Sequence, residues 1–380
     1  MALSIQRPLA HAVAAALALA LIAPLAAAQA PTTGSTSMRD QRAKRLAELG
    51  KDKQDKQDVT QAAPTPPRFP ETTRVSPDAK TGAKMVKHLQ ALQGLYEKQD
   101  MPGVIASAEA IAAMPAANAY EKSYAYSMAA NAAADQDDQT RAAEYFRKAV
   151  ETDGLENDGH FGAMYNLGVI QFGLQKYQES LATMERFLAE TRSTKSEHRG
   201  FRAGILANLD RHDEAAKIYK ELVAENPADK RLLMNAVAAL QGADKFDQAN
   251  LLLEDAHKRG MLTESRELRA LYVGYINAER WTDAQKVIEE GLAKNVLQAG
   301  PDLARDYQVL AQNAYVDDKI SLATELYAKA APMAADGEAY LNLAKVLEYA
   351  GKKAEAKAAA QKALDKGVKK PEQANTILGR

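Results

Sequence analysis

The sequence predicts an all-α solenoid of about eight helix-turn-helix repeats preceded by a disordered N-terminal arm. Three observations lead there. One 16-residue layout recurs along most of the chain, Ala is abundant while aromatic residues make up only 6%, and a polar, Pro-rich stretch precedes the first copy. Fixed periods of 20 to 50 residues are the mark of stacked supersecondary units, and an Ala-rich, aromatic-poor composition suits closely packed helices better than a sheet.

The first segment, residues 1–28, has a short n-region with Arg7, an apolar run from Ala12 to Ala23, Pro24 and then small residues. It reads as a secretory signal peptide, because the run falls short of the roughly 20 residues that a bilayer span needs. Cutting after Ala30 would put Pro31 beside the scissile bond, so Ala26-Ala27-Ala28 is the expected recognition site and Gln29 the mature N-terminus. No later stretch has 18 consecutive apolar residues, so no transmembrane span is expected in the mature chain. Residues 29–80 carry too little apolar surface to offset the entropy of ordering and are expected to be a disordered Pro-rich, charged linker.

The array is expected over 81–380. With NAERWTDAQKVIEEGL from Asn277 as template, copies begin at Glu97, Asp135, Gly173, Asn208, Gly242, Val316 and Tyr349. Successive starts are 33 to 39 residues apart. In each copy the first four residues are polar or small, and Gly173, Asn208, Gly242 and Asn277 suit a helix C-terminus and tight turn. The fifth is often large: Tyr177, His212, Phe246, Trp281 or Ile320. Trp281, the only tryptophan, is therefore expected to pack on the preceding helix, worth roughly 3 to 5 kcal/mol over Ala if fully buried. The eighth is small, as in Ala142, Ser180, Ala215, Ala249, Ala284, Ala323 and Ala356, and a bulky residue follows one turn later on the same face. Small residues let two helices approach while the large neighbours fill the flanking grooves. Pro227 sits where a helix should stop.

These features resemble the tetratricopeptide repeat (TPR). The unit from Phe161 supplies Met164, Leu167, Gly168, Tyr177, Ser180 and Met184, and that from Ser196 supplies Ala203, Ala215, Tyr219, Leu222 and Pro227. Tyr272 departs from the pattern, standing where the family has Gly or Ala. The resemblance implies a right-handed superhelix whose concave surface is lined by the first helix of each repeat. Carried over, that gives Tyr124 and Asn131, then Tyr165 and Phe172, then Arg231, Met234 and Gln241. Arg266, Arg269 and Asn277 follow, and after them Arg305, Gln308, Gln312 and Tyr315. Arg, Tyr and amides are common at interface hot spots, which implies an extended acidic or polar protein segment as ligand. The two-carboxylate clamp of chaperone-binding relatives is missing, since Ser127 stands where Lys is required.

A narrower likeness rests on Gly260 to Thr263, Asp336 to Ala344 and Ala374 to Gly379. These pieces are similar to secreted TPR proteins associated with the TonB, ExbB and ExbD energy-transduction system. They imply a periplasmic, non-enzymatic scaffold that is an accessory of TonB-dependent outer-membrane transport. The alternative is a solenoid attached to the cell envelope and its peptidoglycan, assisting or containing a glycan-processing activity and marked by a buried Glu in a sugar-sized cleft.

Composition and motifs point away from most chemistry. Lys and Arg number 49 against 50 Asp and Glu, which argues against nucleic acid as a partner. Cysteine is absent, which removes thiolate zinc sites, iron-sulfur clusters and disulfides. His88, His160, His198, His212 and His257 are scattered, each expected to be exposed or hydrogen-bonded, with no H-E-x-x-H among them. No phosphate loop or nucleophile elbow is present. The DQDD turn at 135–138 lacks the Gly and distal Glu of a calcium loop, and Glu289-Glu290 reads as an exposed helix face. No metal, cofactor or catalytic residue is expected.

Overall fold

The computed structural model describes residues 66–380, so the expected signal peptide and the linker up to 65 lie outside it. Among the described residues there are 17 α-helices and no strand. They fall into two compact units, which meet in sequence at Asp244 and Lys245.

The first unit holds α1 (Val86–Glu97), α2 (Met101–Ala113), α3 (Ala119–Asp135), α4 (Gln139–Thr152) and α5 (Asn157–Gly173). It continues with α6 (Tyr177–Thr191), α7 (Ser196–Asn208), α8 (His212–Glu225) and α9 (Lys230–Gly242). The second holds α10 (Phe246–Lys258), α11 (Ser265–Asn277), α12 (Trp281–Ala293), α13 (Pro301–Val316) and α14 (Ile320–Met333). It closes with α15 (Glu338–Tyr349), α16 (Lys353–Lys366) and α17 (Pro371–Leu378), the last lying against both α15 and α16.

The small eighth residues are where the helices meet. Ala142, Ser180, Ala215, Ala249, Ala284 and Ala323 are completely buried, and so in effect is Ala356. Their bulky partners one turn on, Phe146, Met184, Tyr219, Leu253, Ile288 and Tyr327, are buried too. At Ser180 the extra hydroxyl is accommodated by donation to the Gly168 carbonyl, 2.7 Å away. The fifth residues behave differently. Tyr177, Trp281, His212 and Ile320 are only half-buried and Phe246 is 38% exposed, so Trp281 contributes less than a fully buried indole. Each stands at the first position of its helix, beside the turn, where packing covers it on one side only.

The turns follow one geometry, but not at the residues the composition favoured. Gly173, Asn208, Gly242 and Asn277 are each the last helical residue. The left-handed residue is two positions further on: Gln175, Asp210, Asp244 and Glu279, matched elsewhere by Gln99, Asp137, Asp318 and Gly351, all with φ between 57° and 76°. The next amide then donates to the carbonyl five residues back, as Lys176 to Gln171, Arg211 to Leu206, Arg280 to Tyr275 and Lys352 to Leu347, at 2.8 to 2.9 Å. This 6→1 bond closes the helix end with main chain alone. The residue just before the next helix is therefore free to be basic, although Lys176, Arg211, Arg280, Lys319 and Lys352 make no side-chain cap.

Tyr272 shows how a large residue is tolerated where a small one is usual. It is 1% exposed, and its hydroxyl donates to Asp306 Oδ2 on α13 at 2.8 Å. Close approach moves to neighbouring glycines: a Cβ at Gly274 would strike the Asn250 side chain, and one at Gly291 would strike Leu297.

Residues 66–80, expected to be linker, are instead laid onto the first unit. Phe69 is 5% exposed, and Arg74 binds Asp153, Asn157 and the Leu155 carbonyl. A single aromatic anchor with charged ends leaves composition polar while still supplying enough contact to order an extended segment. Near Phe69 lie two buried histidines. His198 Nδ1 is 2.7 Å from Ser193 Oγ, but His160 is fully buried with neither ring nitrogen hydrogen-bonded, against the expectation of a satisfied or exposed ring. Its Nδ1 stands 3.3 Å from an Asp153 carboxylate oxygen without hydrogen-bond geometry. Burial lowers both imidazoles to about 4, with the nearby Arg74 adding to the effect at His160.

Two outcomes follow from this core. Ala215→Leu forces a larger side chain into a fully buried contact and should lower stability by about 1–3 kcal/mol in urea unfolding. The unfolded chain takes up protons on His160 and His198 near pH 6.5, whereas the folded chain refuses them until about 4. Stability should therefore be intact above pH 6.5, fall as pH drops toward 4, and level off below, by roughly 3 kcal/mol per ring. Replacing both by Gln should flatten that loss, as followed by urea midpoints at pH 7 and 4.5.

Candidate functional site

The residues expected to form the binding surface sit on the first helix of successive repeats, and each unit presents its own set. In the first unit Tyr124 is half-buried on α3 with its ring 6.1 Å from Tyr120, and Asn131 is turned back to donate to the Ser127 carbonyl at 2.9 Å. On α5 the Tyr165 hydroxyl donates to Glu197 Oε1 on α7 at 3.3 Å, and burial raises its pKa above the usual phenol value. Phe172 is 7% exposed, edge-on to Tyr177 at 5.3 Å and to Phe201 at 5.5 Å, so it walls the surface from beneath. On α9 Arg231 is exposed, with Asp229 Oδ2 at 3.9 Å, while Met234 and Gln241 are half-buried.

Between α5 and α9 the surface dips into a shallow cleft over α7. Phe172, Glu197, Gly200, Gly204, Arg231 and Asn235 line it. The α7 residues were missed by sequence reasoning, although a signal was available. Two glycines four apart inside one helix cost roughly 1 kcal/mol each relative to Ala, and that expense marks a place where side chains are kept off one face. The Tyr219 hydroxyl donates to the Gly200 carbonyl at 3.1 Å from below, and burial raises its pKa to about 12.

In the second unit the three arginines have different roles. Arg266 is exposed and pairs with Glu264 at 2.8 Å, and Arg305 is exposed and pairs with Asp302. Arg269 instead bonds both oxygens of Asp306, at 3.3 and 3.4 Å, and Asp306 is 1% exposed. Burial raises the Asp306 carboxyl above its ordinary value, while Arg269 and the Tyr272 hydroxyl oppose that shift. Arg269 therefore joins α11 to α13 and is not a free contact. Asn277 is exposed, Gln308 Nε2 donates to the Ala304 carbonyl at 3.4 Å, and Gln312 Oε1 accepts from the Tyr327 hydroxyl at 3.0 Å. Tyr315 is 36% exposed and lies edge-on, at 5.7 Å, to the 64% exposed Tyr349 of α15. Tyr349 extends the surface to a helix from which no residue had been carried over.

Reactive geometry is not what these side chains supply. The buried glutamates, Glu121 and Glu267, are both capping residues: Glu121 accepts from the Asn118 and Gly82 amides, and Glu267 from the Thr263 and Glu264 amides. Asp137 and Asp138 of the DQDD stretch serve as the left-handed turn residue and the α4 cap. Glu289 binds Lys329, and Glu290 binds Lys294 and His257. Among the described residues no cluster of His, Cys, Asp and Glu could hold a metal, and no helix is long and apolar enough to cross a membrane.

Tetratricopeptide-repeat models match residues 123–154, 162–190 and 337–365. The chain contains tetratricopeptide repeats. These repeats are protein-interaction scaffolds and are generally non-catalytic, and no enzymatic family is indicated. No curated protein matches the chain. Among similar solved structures is a tetratricopeptide repeat protein from Parabacteroides merdae, 17% identical, covering 68% of this chain and 97% of its own, with a TM-score of 0.41. YrrB, a TPR protein described as having an unusual peptide-binding site, is 19% identical over 52% of this chain and 98% of its own, with a TM-score of 0.40. MamA from Desulfovibrio magneticus RS-1 is 14% identical over 45% of this chain and 93% of its own, with a TM-score of 0.39.

The two kinds of arginine in the TPR array are separable by experiment. Asp306→Ala strands Arg269 and the Tyr272 hydroxyl and should cost about 2–4 kcal/mol. Arg266→Ala should change stability by less than about 0.5 kcal/mol, because its ion pair is exposed. Guanidinium unfolding of the two variants beside wild type reads the difference.

Proposed function

We propose that this protein is a periplasmic, non-enzymatic scaffold that binds an extended protein segment and serves TonB-dependent outer-membrane transport. The observation that carries the binding part is the spaced presentation of Arg266, Arg305, Tyr315 and Tyr349 on the first helices of successive TPR units. Arg and Tyr combine large contact area with directed hydrogen bonds, and their ion pairs here are exposed enough to be exchanged for a partner's carboxylates. The secretory features of residues 1–28 support the location. The stretches at Gly260 to Thr263, Asp336 to Ala344 and Ala374 to Gly379 support the TonB assignment.

The test is in-cell crosslinking followed by capture, with wild type beside an Arg266→Ala, Arg305→Ala, Tyr349→Ala variant. Arg269 is left intact, because its loss would unpair buried Asp306. TonB-system proteins should be captured by wild type at least tenfold more than by the variant. Equal capture of every partner by both would sink the interaction surface. Surface-dependent capture of other envelope proteins alone would sink the TonB assignment and leave the surface standing.

A further inference from the structure

The segment that precedes α1 is seated on the array as a bound peptide would be. The Arg68 amide faces both oxygens of Asp158, at 3.2 and 3.3 Å. The Phe69 ring enters between Phe161, at 5.3 Å and 71°, and Phe187, at 5.6 Å and 90°, with His198 at 6.2 Å. The Thr72 hydroxyl and the Thr73 amide both donate to the Glu190 carbonyl at 2.9 Å. The Arg74 guanidinium donates to Asp153 Oδ1 at 3.0 and 2.8 Å, to the Leu155 carbonyl at 2.9 Å and to Asn157 Oδ1 at 2.6 Å. Asn157 donates in return to the Arg74 carbonyl at 3.1 Å.

This is one aromatic anchor, a pair of contacts at a helix C-terminus, and an Arg clamp five residues beyond the anchor. The receiving groups come from the α4–α5 connection (Asp153, Leu155), the start of α5 (Asn157, Asp158, Phe161), the end of α6 (Phe187, Glu190) and the start of α7 (His198). His198 and Phe187 also stand 5.1 and 5.5 Å from the Tyr165 ring, so this site borders the surface of the first unit that carries Tyr165 and Glu197. Between residues 66 and 80 only Phe69 is buried; Pro70, Glu71 and Val75 are exposed. The acceptors under the strap are the Asp153 and Asp158 carboxylates, the Asn157 amide and the Leu155 and Glu190 carbonyls, all of which water satisfies when the strap leaves.

We propose that these groups form a second peptide-binding site of the protein, occupied in the free chain by its own residues 66–76 and open to a partner segment carrying an aromatic residue with an Arg five positions later. The strap is tethered just ahead of α1, so it competes at the high effective concentration of a short linker. An outside segment gains the site when it binds better than the strap or when the strap is removed. Local opening of a segment held by two side chains, Phe69 and the 10% exposed Arg74, needs far less free energy than unfolding the helices beneath it.

The test uses the full chain and a fluorescein-labelled peptide with the sequence of residues 66–77, read by anisotropy. A Phe69→Ala, Arg74→Ala variant should bind it saturably and at least tenfold more tightly than wild type, and a peptide with Ala for Phe should not bind the variant. Equal binding to both proteins, or none to either, overturns the proposal. Should the variant lose its helical circular dichroism, hydrogen exchange on wild type decides. The Thr73 amide should exchange at least 100-fold faster than the Leu167 and Ala203 amides of the helices. Exchange at the core rate would mean that the strap opens only with the whole unit and cannot be replaced.

Discussion

The close contact made by one small residue per repeat is what the rest of the array depends on. Ala142, Ala215, Ala284 and Ala323 have no exposed surface, and the bulky groups a turn later are buried beside them. A methyl at the contact sets the separation of two helices, and the flanking large side chains then fill the grooves that this separation leaves. The same logic explains the exceptions. Ser180 is admitted because its hydroxyl finds the Gly168 carbonyl, and Tyr272 because its phenol reaches Asp306. In both cases a polar atom enters a tight space only with a partner.

The turn geometry is a second consequence of repeating one unit. Left-handed residues recur two positions after the last helical residue, and most of them are Asp, Gln or Glu rather than Gly. Such residues in that conformation are each strained by roughly 1 kcal/mol, offset here by the 6→1 main-chain bond that closes each helix. A composition rule that looks for Gly or Asn at a helix end therefore falls two residues short. The backbone hydrogen bond, and not the side chain, decides where the chain reverses.

At the candidate surfaces the sequence was informative about position and less so about role. Arg266, Arg269 and Arg305 look alike in a register, yet only tertiary contact reveals that Arg269 faces a buried carboxylate brought from 37 residues away. Phe172 is covered by Tyr177 and Phe201, a fact that depends on how α5, α6 and α7 pack. Tyr349 and the α7 glycines belonged to the same register and were legible in principle. The strap was not: one Phe in a Pro-rich run carries no periodicity, and its pocket is assembled from three separate helices.

The helices thus carry two distinct features, exposed Arg and Tyr side chains on first helices and, in the first unit, an extended segment of the chain held against α5, α6 and α7. By itself the sequence determined the all-helical class, the repeat length, the register and the buried small residues. Those follow from a local period and from side-chain volume, which recur in every unit. The tertiary structure alone decided which charges are buried and paired, which aromatic rings are walls and which are contacts, and that residues 66–80 are bound to helices. Each of these depends on groups far apart in the chain meeting in a low-dielectric interior, where one partner more or less changes the sign of the energy.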